Sequence, residues 1–114
     1  MNTLNLLDAA HAAIAARSDR PATAIVLDDD AARLILFRLA PGQSVPLHRN
    51  ASIVLLTVLQ GTGTILGRRD DVTTERQCHH GDFFSFERGE LHGMRADEEE
   101  LVLLATIAPR SGTQ

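Results

Sequence analysis

The stretch Gly42–Gly61, GQSVPLHRNASIVLLTVLQG, decides how the rest of the chain is read. It opens on the turn signal Pro41-Gly42, passes His48, runs through the mostly apolar segment Ile53–Leu59 and stops at Gly61. A short apolar run bounded by turn residues predicts a strand. Its spacing is that of a strand pair with a histidine at the entrance.

Comparable runs continue outward in both directions. Ala22–Leu27 is closed by Asp28-Asp29-Asp30, and Arg33–Leu39 by Pro41-Gly42. Thr62–Leu66, Val72–Gln77, Phe83–Phe86 and Leu101–Ile107 follow, separated by glycine or charge clusters. Each is short and rich in β-branched residues or Phe, which suits a pleated, half-buried surface. The pattern predicts an all-β sandwich or barrel over residues 22–108. Only the first segment, Leu4 to Arg17, has helical spacing, with Leu4, Leu7, Ala10 and Ile14 on one face. Thr3 or Asn5 can cap it, and Asp8 in the first turn complements the helix dipole. Residues 1–20 are therefore expected to form a helical appendage to a single domain spanning 1–114. His11, beside Leu7 and Ile14, is expected to be a partly buried packing residue. Asp97-Glu98-Glu99-Glu100 is expected to be a solvated turn before the last strand.

Composition removes several function classes. The 114 residues are the size of one domain and can bury one core. A net charge of −4 argues against nucleic acid, which asks for a basic patch. All eleven basic residues are Arg, so no lysine is available for Schiff-base chemistry. Without Trp or Tyr, an aromatic cage for a cation has only four Phe to draw on. No apolar run spans a membrane, and the N-terminus lacks the pattern of a signal peptide. The single Cys78 excludes an intrachain disulfide and fits a reducing cytoplasm.

Five histidines remain as candidates for chemistry: His11, His48, His79, His80 and His92. Cys78-His79-His80 has the composition of a soft-metal site. Adjacent strand residues point to opposite faces, however, so the three are expected to diverge and to lie exposed before the turn Gly81-Asp82. His48 and His92 stand in more distinctive frames, each after a turn-forming segment. Neutral imidazole is both a metal ligand and a general base. Two such rings entering from neighbouring strands can meet inside a barrel.

With these residues in view, the chain resembles the small single-domain members of the cupin superfamily. The first cupin motif, G-x5-H-x-H-x3-E-x6-G, is matched in spacing by Gly42, His48, Asn50, Val54 and Gly61. The second, G-x5-P-x-G-x2-H-x3-N, is matched by Gly81, Glu87, Gly89, His92 and Ala96. The resemblance implies a double-stranded β-helix, a jelly-roll barrel, with a short N-terminal helix. In the family, two His and one Glu of the first motif and the His of the second hold one divalent metal. Only His48 and His92 stand at those positions here. Asn50 replaces the second His and is a weak third ligand; Val54 replaces the Glu and cannot ligate. The Pro and Asn of the second motif are also gone, as Glu87 and Ala96.

Two functional readings follow, and a third lies beside them. The first is a small-molecule-binding protein with no assigned catalysis, its cavity lined by His48, Asn50, Val54, Phe84, Phe86 and His92. Arg38 or Arg49 near the mouth would then suit a small acid. The second is a metal-dependent enzyme of the dioxygenase or isomerase kind, holding zinc, nickel, iron or manganese at a reduced His48/His92 site, with Glu87 or Glu90 as substitute carboxylate. The third is an interaction module built on the barrel and helix. Barrel edges of this kind are often covered by a second subunit, so a homodimer is expected.

Overall fold

The computed structural model describes residues 1–13, 15 and 17–110. Its chain path is set by the turns that the two motifs specify. Gly42, Gly61, Gly81 and Gly89 all adopt φ values from +78° to +91°, which L side chains rarely take. Gly61 has a second reason to be glycine: a Cβ there would lie 1.8 Å from the carbonyl oxygen of Glu100.

Among the described residues lie one helix, α1 (Leu6–Ala13), and nine strands: β1 (Ala22–Asp28), β2 (Arg33–Leu39), β3 (Ser44–His48), β4 (Ile53–Gln60), β5 (Thr62–Arg69), β6 (Val72–His79), β7 (Phe83–Phe86), β8 (Leu91–Ala96) and β9 (Leu101–Ala108). They form two sheets of antiparallel neighbours, ordered β1-β2-β9-β4-β7 and β3-β8-β5-β6. This is the all-β jelly roll the sequence predicts.

The core follows from strand periodicity. Along β9, Leu101, Leu103, Ala105 and Ile107 face the interior between the sheets, with Leu39, Val54, Leu56, Val58, Ile65 and Met94. The alternate residues Val102 and Leu104 face outward and would meet water, but α1 covers them. Ala10 of the helix is fully buried against this face, with Leu36 beside it. Burial on both sides explains why β9 reads as a nearly continuous apolar run. Each fully buried Leu contributes roughly 1.5–3 kcal/mol relative to an exposed one.

Three details differ from the sequence expectation. β3 and β8 are full strands, although neither shows a clean apolar run: Pro46 interrupts one, and Gly93 and Arg95 the other. The helix is shorter than Leu4–Arg17. It starts at Leu6, capped by Asn5, whose Oδ1 accepts the Asp8 N–H at 2.9 Å, and Ile14 lies outside the described residues. His11 is exposed rather than packed, because the helix buries its Leu6, Leu7, Ala9 and Ala10 side.

Candidate functional site

The site begins with a backbone approach. β3 pairs with β8 so that His48 lies opposite His92. Gly93 lets the strands come this close: a Cβ there would sit 2.7 Å from the Val45 carbonyl oxygen and 3.2 Å from the Leu47 nitrogen. A register irregularity between Val45 and His48 bends β3 at the same place. The two imidazoles end with centroids 4.3 Å apart and planes tilted by 58°. On its other side His92 stacks on Phe86 at 5.0 Å. Gly67 is the β5 partner of His92, and a Cβ there would lie 3.4 Å from the Phe86 ring, in contact with it.

Both rings are held in the same way. His48 Nδ1 lies 3.0 Å from the Pro46 carbonyl oxygen, and His92 Nδ1 lies 3.1 Å from that of Glu90. A carbonyl can only accept, so Nδ1 carries a proton in each ring, and in a neutral ring the lone pair is on Nε2. His48 stands at the exposed rim, whereas His92 is 4% exposed. Burial pushes the His92 imidazole below the ordinary histidine range, and the nearby His48 adds to this. The Glu90 carbonyl bond opposes it. His92 is therefore a neutral ring near pH 7.

The pair closes a narrow pocket between the sheets, with His48 and His92 on the four-stranded sheet, Val54 on the five-stranded sheet facing them and Asn50 in the β3–β4 loop. The rest of the lining is Ile35, Phe37, Leu56, Met94, Ala105 and Ile107. The space open to the centres of water-sized molecules is about 40 Å³. At roughly 10–15 Å³ for one water by this measure, that is room for about three waters. Wider hollows exist on the surface, but they are shallow and their charges are largely paired. One is lined by Arg49, Arg68, Arg69 and Glu90, and another by Glu75, Arg95 and Asp97. In the first, Arg69 holds Glu87 and Glu90; in the second, Arg95 holds Glu75 and Asp97.

Asn50 has a structural task. Its Oδ1 accepts the Ser52 N–H at 2.9 Å, and its backbone oxygen accepts the Gly89 N–H at 2.8 Å. These bonds shape the β3–β4 loop and tie it to the turn before β8. Ser52 in turn donates its hydroxyl to the Pro109 carbonyl. The metal that the fold family implies is therefore poorly served. A catalytic site commonly offers three protein ligands, and facial-triad iron wants a carboxylate. Here two imidazoles face an amide oxygen already in use and a valine. Among the described residues no three His, Cys, Asp or Glu side chains are grouped to hold a metal ion. The donor set does not fit the family's metal.

Other residues singled out from the sequence lie elsewhere. Phe86 sits behind His92 rather than in the pocket lining, and Phe84 packs on the core farther along β7. The Glu90 carboxylate is turned to Arg69 and to the Glu87 N–H, and Glu87 is exposed. Arg38 points to the outer face of the five-stranded sheet, where it pairs with Glu100 at 2.9 Å. Arg49 lines the outer charged hollow. Neither adds charge to the pocket. Cys78 is buried, while His79 and His80 are exposed beside it. Burial lifts the Cys78 thiol to about 11. The sequence reading missed the apolar wall from β2 and β9, which strand parity could have supplied, and the role of Gly93.

The chain belongs to the cupin family: the family model described as Cupin domain matches residues 35–107. No curated protein matches it. Among solved structures it is similar to an uncharacterised conserved protein with a double-stranded β-helix domain from Klebsiella pneumoniae, at 16% identity and TM-score 0.82. That alignment covers 99% of this chain and 94% of the other. An RmlC-like cupin protein from Desulfovibrio desulfuricans is 26% identical with TM-score 0.76, covering 96% and 97%. The DMSP lyase DddQ from Ruegeria pomeroyi is 18% identical with TM-score 0.75, covering 84% of this chain and 50% of that one. The fold is thus shared by enzymes and by uncharacterised cupins alike. No helix among the described residues is long and apolar enough to cross a membrane.

Proposed function

We propose that this cupin binds a small molecule in the pocket closed by His48 and His92, without a resident metal and without assigned catalysis. The observation that carries this reading is the buried polar floor of an otherwise apolar pocket. His92 is nearly fully buried as a residue and its Nδ1–H is satisfied by its own strand; since no buried side-chain nitrogen or oxygen among the described residues lacks a partner, its unbonded Nε2 is one that opens on the pocket. A polar atom open to an otherwise largely apolar pocket is a recognition point, because the few polar groups of such a pocket fix a ligand's orientation. The test is a titration with small probes of about five non-hydrogen atoms: propanamide, N-methylacetamide and propionate. It is followed by the methyl signals of Ile35, Leu56, Met94 and Ile107. Saturable shifts confined to these residues, and lost in His92→Phe, support the reading. Linear shifts spread over the surface contradict it.

A second reading keeps a specific observation in its favour. Both imidazoles line the pocket from adjacent strands with Nδ1 already committed, the arrangement from which a metal-dependent dioxygenase- or isomerase-like cupin would start. Stoichiometric metal in the purified protein would favour it. We also propose a homodimer. The edge strand β1 exposes Ile25 and Leu27, and the edge strand β7 exposes Phe83. Unpaired apolar edges of this kind suit pairing between copies. A single-chain mass by light scattering would contradict it.

A further inference from the structure

The pocket also specifies what its occupant must offer. This step rests on the small-molecule reading above and concerns the chemistry of the ligand. With each Nδ1–H committed to a carbonyl at 3.0 and 3.1 Å, the imidazoles present Nε2 to any occupant, and a neutral Nε2 only accepts. Two such acceptors lie in rings 4.3 Å apart. No lysine exists in the chain, and no arginine lines this pocket. The rest of the wall is the Asn50 amide, whose Oδ1 already accepts the Ser52 N–H, and the apolar side chains of Ile35, Phe37, Val54, Leu56, Met94, Ala105 and Ile107. An anion placed here would face two lone pairs in a poorly solvated space with no cation to offset it, which is costly. The small-acid expectation from the sequence loses its basis, since Arg38 and Arg49 lie outside the pocket.

We infer that the site selects a small uncharged ligand carrying two N–H or O–H donors at one end and a short apolar body at the other, as a primary amide does. The two donors meet the paired Nε2 atoms of His48 and His92, and the body lies along Ile35, Leu56 and Ile107. A single donor satisfies one ring and leaves the other open. If the ring left open is the buried His92, the unmet acceptor lowers affinity about five- to more than a hundredfold; at the exposed His48 water can meet it and the loss is smaller.

Propanamide, N-methylacetamide and propionate test this directly, because they have the same number of non-hydrogen atoms and carry two, one and no N–H donors at neutral pH. The readout is the dissociation constant of each from the pocket methyl signals, together with the His48 and His92 ring nitrogen shifts. The expected order is propanamide tightest, then N-methylacetamide, then propionate. The expected gap between first and last is at least tenfold. In His48→Phe, which keeps a ring at the rim but removes one acceptor, the advantage of propanamide over N-methylacetamide should disappear. Propionate binding as tightly as propanamide would overturn the donor rule while leaving the pocket reading intact. An unchanged preference in His48→Phe would overturn the pairing of the two rings. Failure of all three probes to saturate would overturn the pocket reading, and this inference with it.

Discussion

The two ends of this barrel are built to different rules. At one end Leu39, Val58, Ala96 and Leu101 are at most 1% exposed, and Cys78 is buried with them. Gly61 and Gly63 bring the backbones together there, each with a carbonyl where a Cβ would go. That end is closed. At the other end the same strands carry Ile35, Val54, Ala105 and Ile107, and here the sheets enclose a pocket rather than meeting in full. The polar groups His48, Asn50 and His92 belong to this end alone. Folding is secured where the packing is complete. The open end has kept its strand geometry while losing the donors that hold the family's metal.

The comparison can be sharpened by restoring what the open end lacks. In Asn50→His/Val54→Glu the four motif positions again hold three imidazoles and one carboxylate. With zinc at about 100 to 1,000 times its dissociation constant, this variant should gain roughly 2.7–4.1 kcal/mol in urea unfolding. The parent chain should gain far less, and an equal gain in both would mean that the missing donors do not matter. Truncation should separate the two ends next. Leu101→Ala removes a fully buried side chain from the closed end and should cost roughly 2–5 kcal/mol. Val54→Ala removes two methyl groups from the wall of an existing pocket and should cost less, on the order of 1–2 kcal/mol. Equal losses in urea midpoints would erase the distinction.

Acid should also find the open end first. Burial holds the His92 pKa below its unfolded value, so the unfolded chain binds the proton more readily. The stability gained from this neutral ring is complete above about pH 6.5. It is lost as pH falls through the lower folded value. The urea midpoint should therefore drop on acidification from about pH 7.5 to about pH 5, and the drop should be shallower in His92→Phe. An identical drop in both would show that His92 is not the group involved. The smallest effect belongs to the closed end. With its thiol pushed up to about 11, Cys78 should react slowly with a maleimide in the folded protein and quickly in urea. Fast reaction in the native state would contradict the burial described there.

The fold was largely legible in the sequence because turn chemistry and apolar runs are local. Gly42, Gly61, Gly81 and Gly89 marked the corners, and strands such as β4 and β9 announced themselves as apolar segments. β3 and β8 were harder to see. Pro46 and Gly93 break their patterns, and their pairing is a long-range fact that no local period reports. The histidine pair was found by motif spacing, but the ring geometry depends on Gly93 and on the bend in β3. His11 was misplaced because the helix buries its Leu6, Leu7, Ala9 and Ala10 side, which leaves His11 in solvent. Phe84 and Phe86 share the inward parity of Val54 and Leu56. They lie on the end strand of the sheet, however, so the pocket forms beside them rather than against them. Arg38 could be placed only once its partner Glu100 was known.

The most direct measurement is elemental analysis of the untagged protein, before and after incubation with iron, manganese, nickel and zinc, alongside His48→Ala and His92→Ala. An open end that has lost its metal donors predicts metal well below one per chain in every case, and no difference between the parent and the two variants. About one tightly held metal per chain, absent from both variants, would contradict the account and make the two histidines the core of a working metal centre.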